Sequence, residues 1–165
     1  QAIQSDDPVI YFEPKRRYWD KAEVDVEAIP APLHKAQVVR EGTDLTLAAY
    51  GPMVKLCQEA AAAAAEEGKS VEVLDLRSVS PIDFDSIQRS VEKTRRLVVV
   101  HEAPVFFGSG AEIAARITER CFYHLEAPVL RVGGYHAPYP PARLEEAYLP
   151  DLDRVLDAVD RSLAY

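Results

Sequence analysis

Cysteine is scarce in this chain, two in 165 residues, and that scarcity excludes a disulfide framework. Cys57 and Cys121 fall on apolar helix faces with no second thiol or histidine at ligand spacing, so they read as small core residues in a reducing compartment. No apolar run is long enough to span a bilayer as a helix, and the chain does not open on a basic segment followed by an apolar one. The expectation is a soluble, cytoplasmic protein. Positive charge is in deficit, with 19 Lys and Arg against 27 Asp and Glu and a net charge of -8. That balance argues against a nucleic-acid or membrane partner and favours a basic protein partner. An initiator methionine is also lacking, so QAIQSDD reads as the start of a piece of something longer.

What is present is a regular α/β alternation. PVIYFE, Pro8 to Glu13, reads as a short buried strand, and the mixed-charge stretch from Lys15 as an extended connection. From Ala36 the pattern turns regular. QVVREG is followed by DLTLAAYG as a strand, then by a helix from Pro52 to Gly68, with proline at its first turn and glycine past its end. Val71 to Leu76 reads as the next strand, and a helix opens near Asp83 with Phe84, Ile87 and Val91 on one face. Leu97 to Val100 is a β-branched run suited to the centre of a parallel sheet, and Ser109 with Glu112 has capping-box spacing ahead of Ile113, Ile117 and Cys121. Pro128 to Val132 is one more strand, GGYHAPYPP a loop, and Leu152, Val155, Leu156, Val159 and Leu163 the stripe of a final helix. The expected fold is α/β, three-layered, with a mostly parallel sheet and helices on both faces.

The chemistry-bearing residues cluster after the Leu97 strand. His101 and Glu102 stand at its carboxyl end, where a general base or substrate contact would sit, or where the pair would anchor the following loop. FGSG lacks the third glycine of a dinucleotide fingerprint and the acidic residue that should follow it. Ser109 is out of order for a nucleophile elbow. The basic clusters Lys15, Arg16, Arg17 and Lys93, Arg95, Arg96 read as solvated faces or intersubunit contacts in so acidic a chain. Phe106 and Phe107, adjacent in a loop, would form an association patch if exposed, giving a dimer or larger species.

PVIYFEPKRRYW, IPAPLHKAQVVREGTDLTLAAYG, VEVLDLRSVSPID, RLVVVHEAP, GAEIAARI and LEAPVLRVGGYHAPYP occur in that order. The series resembles the carboxyl-terminal half of the β subunit of a thiamine-dependent 2-oxo acid dehydrogenase, with a transketolase carboxyl-terminal domain-like fold. The ERCFYHLEAP and GYHAPYP blocks are more similar to the branched-chain 2-oxo acid type; a pyruvate or acetoin dehydrogenase β subunit is the alternative. A transketolase or deoxyxylulose phosphate synthase lacks support, because their sugar-phosphate motifs are absent. A noncatalytic binding module of the same fold is the reading from a different class.

The resemblance implies two regions: residues 1–35 as the end of a preceding pyrimidine-binding domain plus linker, and 36–165 as the transketolase carboxyl-terminal-like domain. It implies an enzyme that decarboxylates a 2-oxo acid on thiamine diphosphate with magnesium and passes the acyl group to lipoyl arms, assembled from α subunits and a second β subunit. The GDG motif with its following Asn is absent here, so no catalytic residue is expected in this chain. The implied role of the region is assembly. Glu126 of the Leu-Glu-Ala-Pro turn and the carboxylate of Tyr165 are placed by the resemblance at the docking site for the basic subunit-binding domain of a lipoyl acyltransferase core. Ala2, Ile3, Ser5 and Asp7 match backbone ligands of a structural potassium ion whose remaining ligands lie in upstream sequence. His101, Glu102, Phe106 and Phe107 are implied as interface residues or loop anchors. The two phenylalanines stand where relatives carry glycines, either covering a subunit interface or narrowing a substrate path.

Overall fold

The computed structural model describes residues 1–29 and 31–165. Pro30, inside the expected connection, lies outside the described residues. Five strands form one sheet: β1 (Gln37–Arg40), β2 (Leu45–Ala49), β3 (Val71–Asp75), β4 (Leu97–Pro104) and β5 (Leu130–Gly134), in the order β1-β3-β2-β4-β5. β3, β2, β4 and β5 run parallel, and β1 pairs antiparallel with β3 along the edge. β2 is therefore the central strand. β4, expected at the centre, lies one place over, still paired on both sides.

The alternation of each strand sends its side chains into two separate cores. Leu45, Leu47, Val98 and Val100 pack beneath α1 (Met53–Glu66) and α5 (Leu152–Leu163). Ala48, Leu74, Leu97 and Val99 pack beneath α2 (Phe84–Thr94) and α3 (Ser109–Cys121), whose Ile87, Val91, Ile113, Ile117 and Cys121 complete that layer. Buried Ala60, Ala61 and Ala64 let α1 lie close on the sheet. Both cysteines are buried and free, and burial pushes the thiol pKa of each above its ordinary value. Among the described residues no helix is long and apolar enough to cross a membrane.

Two helices start on aspartate caps. Asp151 accepts from the Arg154 amide at 2.8 Å, and Asp83 accepts from the Ser86 amide at 3.2 Å and the Ser86 hydroxyl at 2.7 Å. Asp83 also holds the Ala36 amide at 3.1 Å, which ties the approach to β1 onto α2. Burial would raise its carboxyl pKa, but the Ser86 hydroxyl, the two amides and Lys35 outweigh it and hold Asp83 below the usual carboxylate range. Asp83→Ala is expected to cost about 1–2 kcal/mol in a denaturant titration. The stabilisation it removes is present above the unfolded-state pKa and is lost as pH falls through the lower folded value, so the loss should fade in strong acid.

Three expectations are corrected. Pro8–Glu13 forms no strand; Ile10, Tyr11 and Phe12 are exposed and no neighbouring strand satisfies their backbone. Ser109 caps nothing. Gly108 takes the cap position of α3, and the Ser109 hydroxyl pairs with the Tyr50 hydroxyl at 2.9 Å. GGYHAPYPP is not all loop, since Gly133 and Gly134 close β5; beyond the segment, Ala142–Leu144 forms a 3-10 turn and α4 (Glu145–Tyr148) a short helix that buries Tyr148.

Candidate functional site

Beyond Val100 the sheet register breaks. Val100 faces Val132 and Pro104 faces Gly134, so β4 carries two more residues than β5 across this interval. The bulge re-aims the strand end. His101 is fully buried there, and its Nδ1–H donates to the Ala103 carbonyl at 2.9 Å, closing the bulge on itself. The ring lies almost parallel to Tyr50, 6.3 Å between centroids and 22° between planes. Three glycines wall it in. A Cβ on Gly108, Gly110 or Gly133 would stand 2.7, 2.5 or 3.0 Å from an imidazole atom. Gly110 of FGSG is thus explained by an imidazole, and Gly108 by the Pro104 carbonyl, 2.3 Å from its would-be Cβ, together with the same ring.

This geometry governs what His101 can do. Nε2 is buried without a partner, and with Nδ1 committed as donor it carries a lone pair facing glycine backbone. Burial pushes the imidazole pKa below its ordinary value, helped by Arg131 and opposed by the Ala103 bond. A buried ring, bonded to Ala103 and walled by glycines, holds the loop from within. Glu102 points the other way and is partly exposed. Burial raises its carboxyl pKa, Arg16 at 3.9 Å opposes this, and Glu145 adds to it.

The loop held by His101 presents Phe106 and Phe107, 57% and 90% exposed. Phe107 sits in the left-handed region at φ 57°, and the two rings meet edge-on at 4.8 Å. Phe106 also contacts the His136 ring at 4.4 Å. With Tyr135, Arg131 and Arg154 they border a groove of about 550 Å³. Arg154 lies over the Tyr135 ring at 4.7 Å and donates to the Gly133 carbonyl.

A second cluster occupies the opposite end of the sheet. The Glu126 carboxylate is shared by Arg95 and by Arg96, the latter at 2.8 Å, and the Arg95 guanidinium, with Arg96 beside it, holds the carboxyl pKa below the usual range. Arg96 Nε donates to the Ser162 carbonyl at 3.1 Å in the last turn of α5. Tyr165 is exposed three residues further on. Arg96 therefore joins Glu126 to the last turn of α5, the helix that leads to Tyr165, a connection that spacing alone could not reveal.

The remaining sequence-selected residues lie in the N-terminal turn. The Ala2 carbonyl accepts from the Ser5 amide at 3.4 Å and Ser5 Oγ from the Asp7 amide at 3.2 Å, while Ile3 is fully exposed. Among the described residues no three His, Cys, Asp or Glu side chains gather as a metal site. The residues present do not fit the magnesium diphosphate end of the cofactor that the resemblance implies, and no step of its chemistry is assigned to them.

Comparison with known proteins places these features in a family. Over its full length the chain is 58% identical to the pyruvate dehydrogenase E1 component subunit beta of Leifsonia xyli subsp. xyli, covering 49% of that protein. It is 50% identical over 98% of its length to the 3-methyl-2-oxobutanoate dehydrogenase subunit beta of Mycobacterium tuberculosis, covering 47% of it. The chain thus spans about half the length of the curated relatives it matches. A solved structure described as a split gene transketolase, inactive beta4 tetramer, superposes with a TM-score of 0.70 at 29% identity, covering 87% of this chain and 46% of that one. The model of the family described as "Transketolase, C-terminal domain" matches residues 34–155, and the chain belongs to that family.

Proposed function

We propose that this chain is the carboxyl-terminal part of the β subunit of a thiamine diphosphate-dependent 2-oxo acid dehydrogenase of the branched-chain type, serving subunit assembly and docking to the lipoyl acyltransferase core. The observation that carries the reading is the uninterrupted match of the whole chain to β subunits at 58% and 50% identity. In this reading residues 1–35 close a preceding pyrimidine-binding domain and lead into the domain of 36–165. Thiamine diphosphate and magnesium are held by the α subunit and the rest of β. Potassium is held by backbone at Ala2, Ile3, Ser5 and Asp7 together with upstream groups. The bulge of β4 and the Phe106–Phe107 loop face another subunit.

The relative at 58% identity is a pyruvate enzyme, and that favours pyruvate as the second reading. Reconstitution of the full-length β subunit with its α subunit separates them: turnover of 3-methyl-2-oxobutanoate well above pyruvate supports the branched-chain type, and the reverse assigns the pyruvate type. Activity with neither would remove both the branched-chain and the pyruvate readings.

Docking is supported by the net charge of -8 and by the exposed Glu126. A basic subunit-binding domain is steered by such a field and met by that carboxylate. Glu126→Lys is expected to weaken binding of the subunit-binding domain about tenfold or more by calorimetric titration, since a like charge then faces the partner. Unchanged affinity would remove Glu126 from the docking site.

A further inference from the structure

Glu126 is held by two arginines in unlike ways. Arg96 is anchored: its side chain is 18% exposed, it reaches Glu126 at 2.8 Å, and its Nε donates to the Ser162 carbonyl at 3.1 Å. Arg95 is not. Its side chain is 59% exposed, its guanidinium has the Glu126 carboxylate as its only partner among the described residues, and its backbone caps α2 in the left-handed region at φ 62°. The Glu126 main chain is fixed independently, its amide donating to the Arg95 carbonyl at 3.0 Å. The carboxylate therefore has one oxygen on a rigid internal cation and the other on a cation facing solvent.

Resting on the docking reading above, we propose that Arg95 is an internal stand-in that a partner's cation displaces from Glu126, whereas Arg96 is the positioning residue that locks Glu126 to the end of α5. The chemistry of the two contacts differs in the required direction. A solvent-exposed single ion pair contributes little net stability and is cheap to exchange for another cation. A guanidinium that joins a carboxylate to a main-chain carbonyl uses two separate donors at fixed angles, which a lysine cannot reproduce. While Arg95 stays on Glu126 it neutralises the recognised acid and sets a positive charge on the face that a basic domain approaches. Docking must swing it aside. Because its backbone is committed to the α2 cap, the swing is confined to the side chain.

The test uses the full-length β subunit assembled with its α subunit, titrated with the subunit-binding domain of the cognate acyltransferase at low and high salt. R95Q is expected to tighten binding about threefold to fivefold at low salt, through a faster on-rate, with the gain vanishing at high salt. R96Q is expected to weaken binding about tenfold, and R96K to leave most of that loss in place. An R95Q variant that binds equally or more weakly overturns the stand-in, and full rescue by R96K overturns the positioning role. These outcomes stand apart from failure of the docking reading: that fails if E126Q binds as the wild type does, whereas weakened E126Q with unimproved R95Q rejects this inference alone.

Discussion

Gly110→Ala is expected to destabilise the protein by about 3 kcal/mol, lowering Tm by roughly 6–12 °C. The added Cβ would stand 2.5 Å from His101 Nε2 and 2.9 Å from its Cδ2. A flexible side chain would move away; this imidazole has nowhere to go. It is tied to the Ala103 carbonyl through Nδ1, lies against Tyr50, and meets Gly108 and Gly133 on its other sides. The control is a double-mutant cycle. His101→Ala removes the obstacle, so Gly110→Ala should cost far less in that background, with a coupling of at least about 1 kcal/mol. Simple additivity would show that the glycine is needed for another reason.

The same site fixes a pH dependence. Burial lowers the folded-state pKa of His101, so in acid the unfolded chain takes up a proton that the folded one refuses. Stability from this group is complete above the unfolded value of about 6.5 and declines as pH falls from there toward the folded value. His101→Gln should flatten the slope of stability against pH in that window, measured by urea titration.

Much of the fold was legible because most elements obey one local rule. The Leu97 strand, the apolar stripes of α2, α3 and α5, and the start of α2 near Asp83 each follow from period or spacing within a dozen residues. The failures share a different cause. Ser109 had a capping partner in the right place, but the Tyr50 hydroxyl, 59 residues away, claimed its oxygen. Pro8–Glu13 alternates like a strand, yet a strand needs a neighbour and none is present among the described residues. The β4 bulge is silent in the sequence: the β-branched run ends at Val100, and only pairing with β5 shows the strand continuing to Pro104 with excess residues. At the candidate sites the individual residues could be chosen from sequence, but their partners could not. Glu126 meets Arg96 from 30 residues away, and Gly110 of FGSG lies against the buried His101 ring.

The other large effect is expected at a buried ion pair on β3. Glu72 is a carboxylate second in an apolar strand, and it is fully buried. Its carboxylate accepts from Thr46 Oγ1 at 3.2 Å and is paired with Lys93, while Thr46 meets Thr94 at 2.7 Å. Lys93 reaches in from α2 with its side chain 40% exposed, and it also meets Glu41 at 2.9 Å. Burial would lower the Lys93 ammonium pKa, but Glu72 and Glu41 outweigh it and hold the value above the ordinary one. The wild-type contribution of this lysine is thus fully present below its unfolded value and is lost only as pH rises through the folded one. Lys93→Met leaves Glu72 buried without its cation and is expected to cost about 3 kcal/mol at neutral pH. One measurement distinguishes a stranded charge from lost packing. Adding Glu72→Gln should recover most of the stability, because the amide keeps a partner for Thr46 and carries no charge to desolvate. A double variant no more stable than Lys93→Met would mean that the aliphatic stem of Lys93, and not its charge, holds α2 against the sheet.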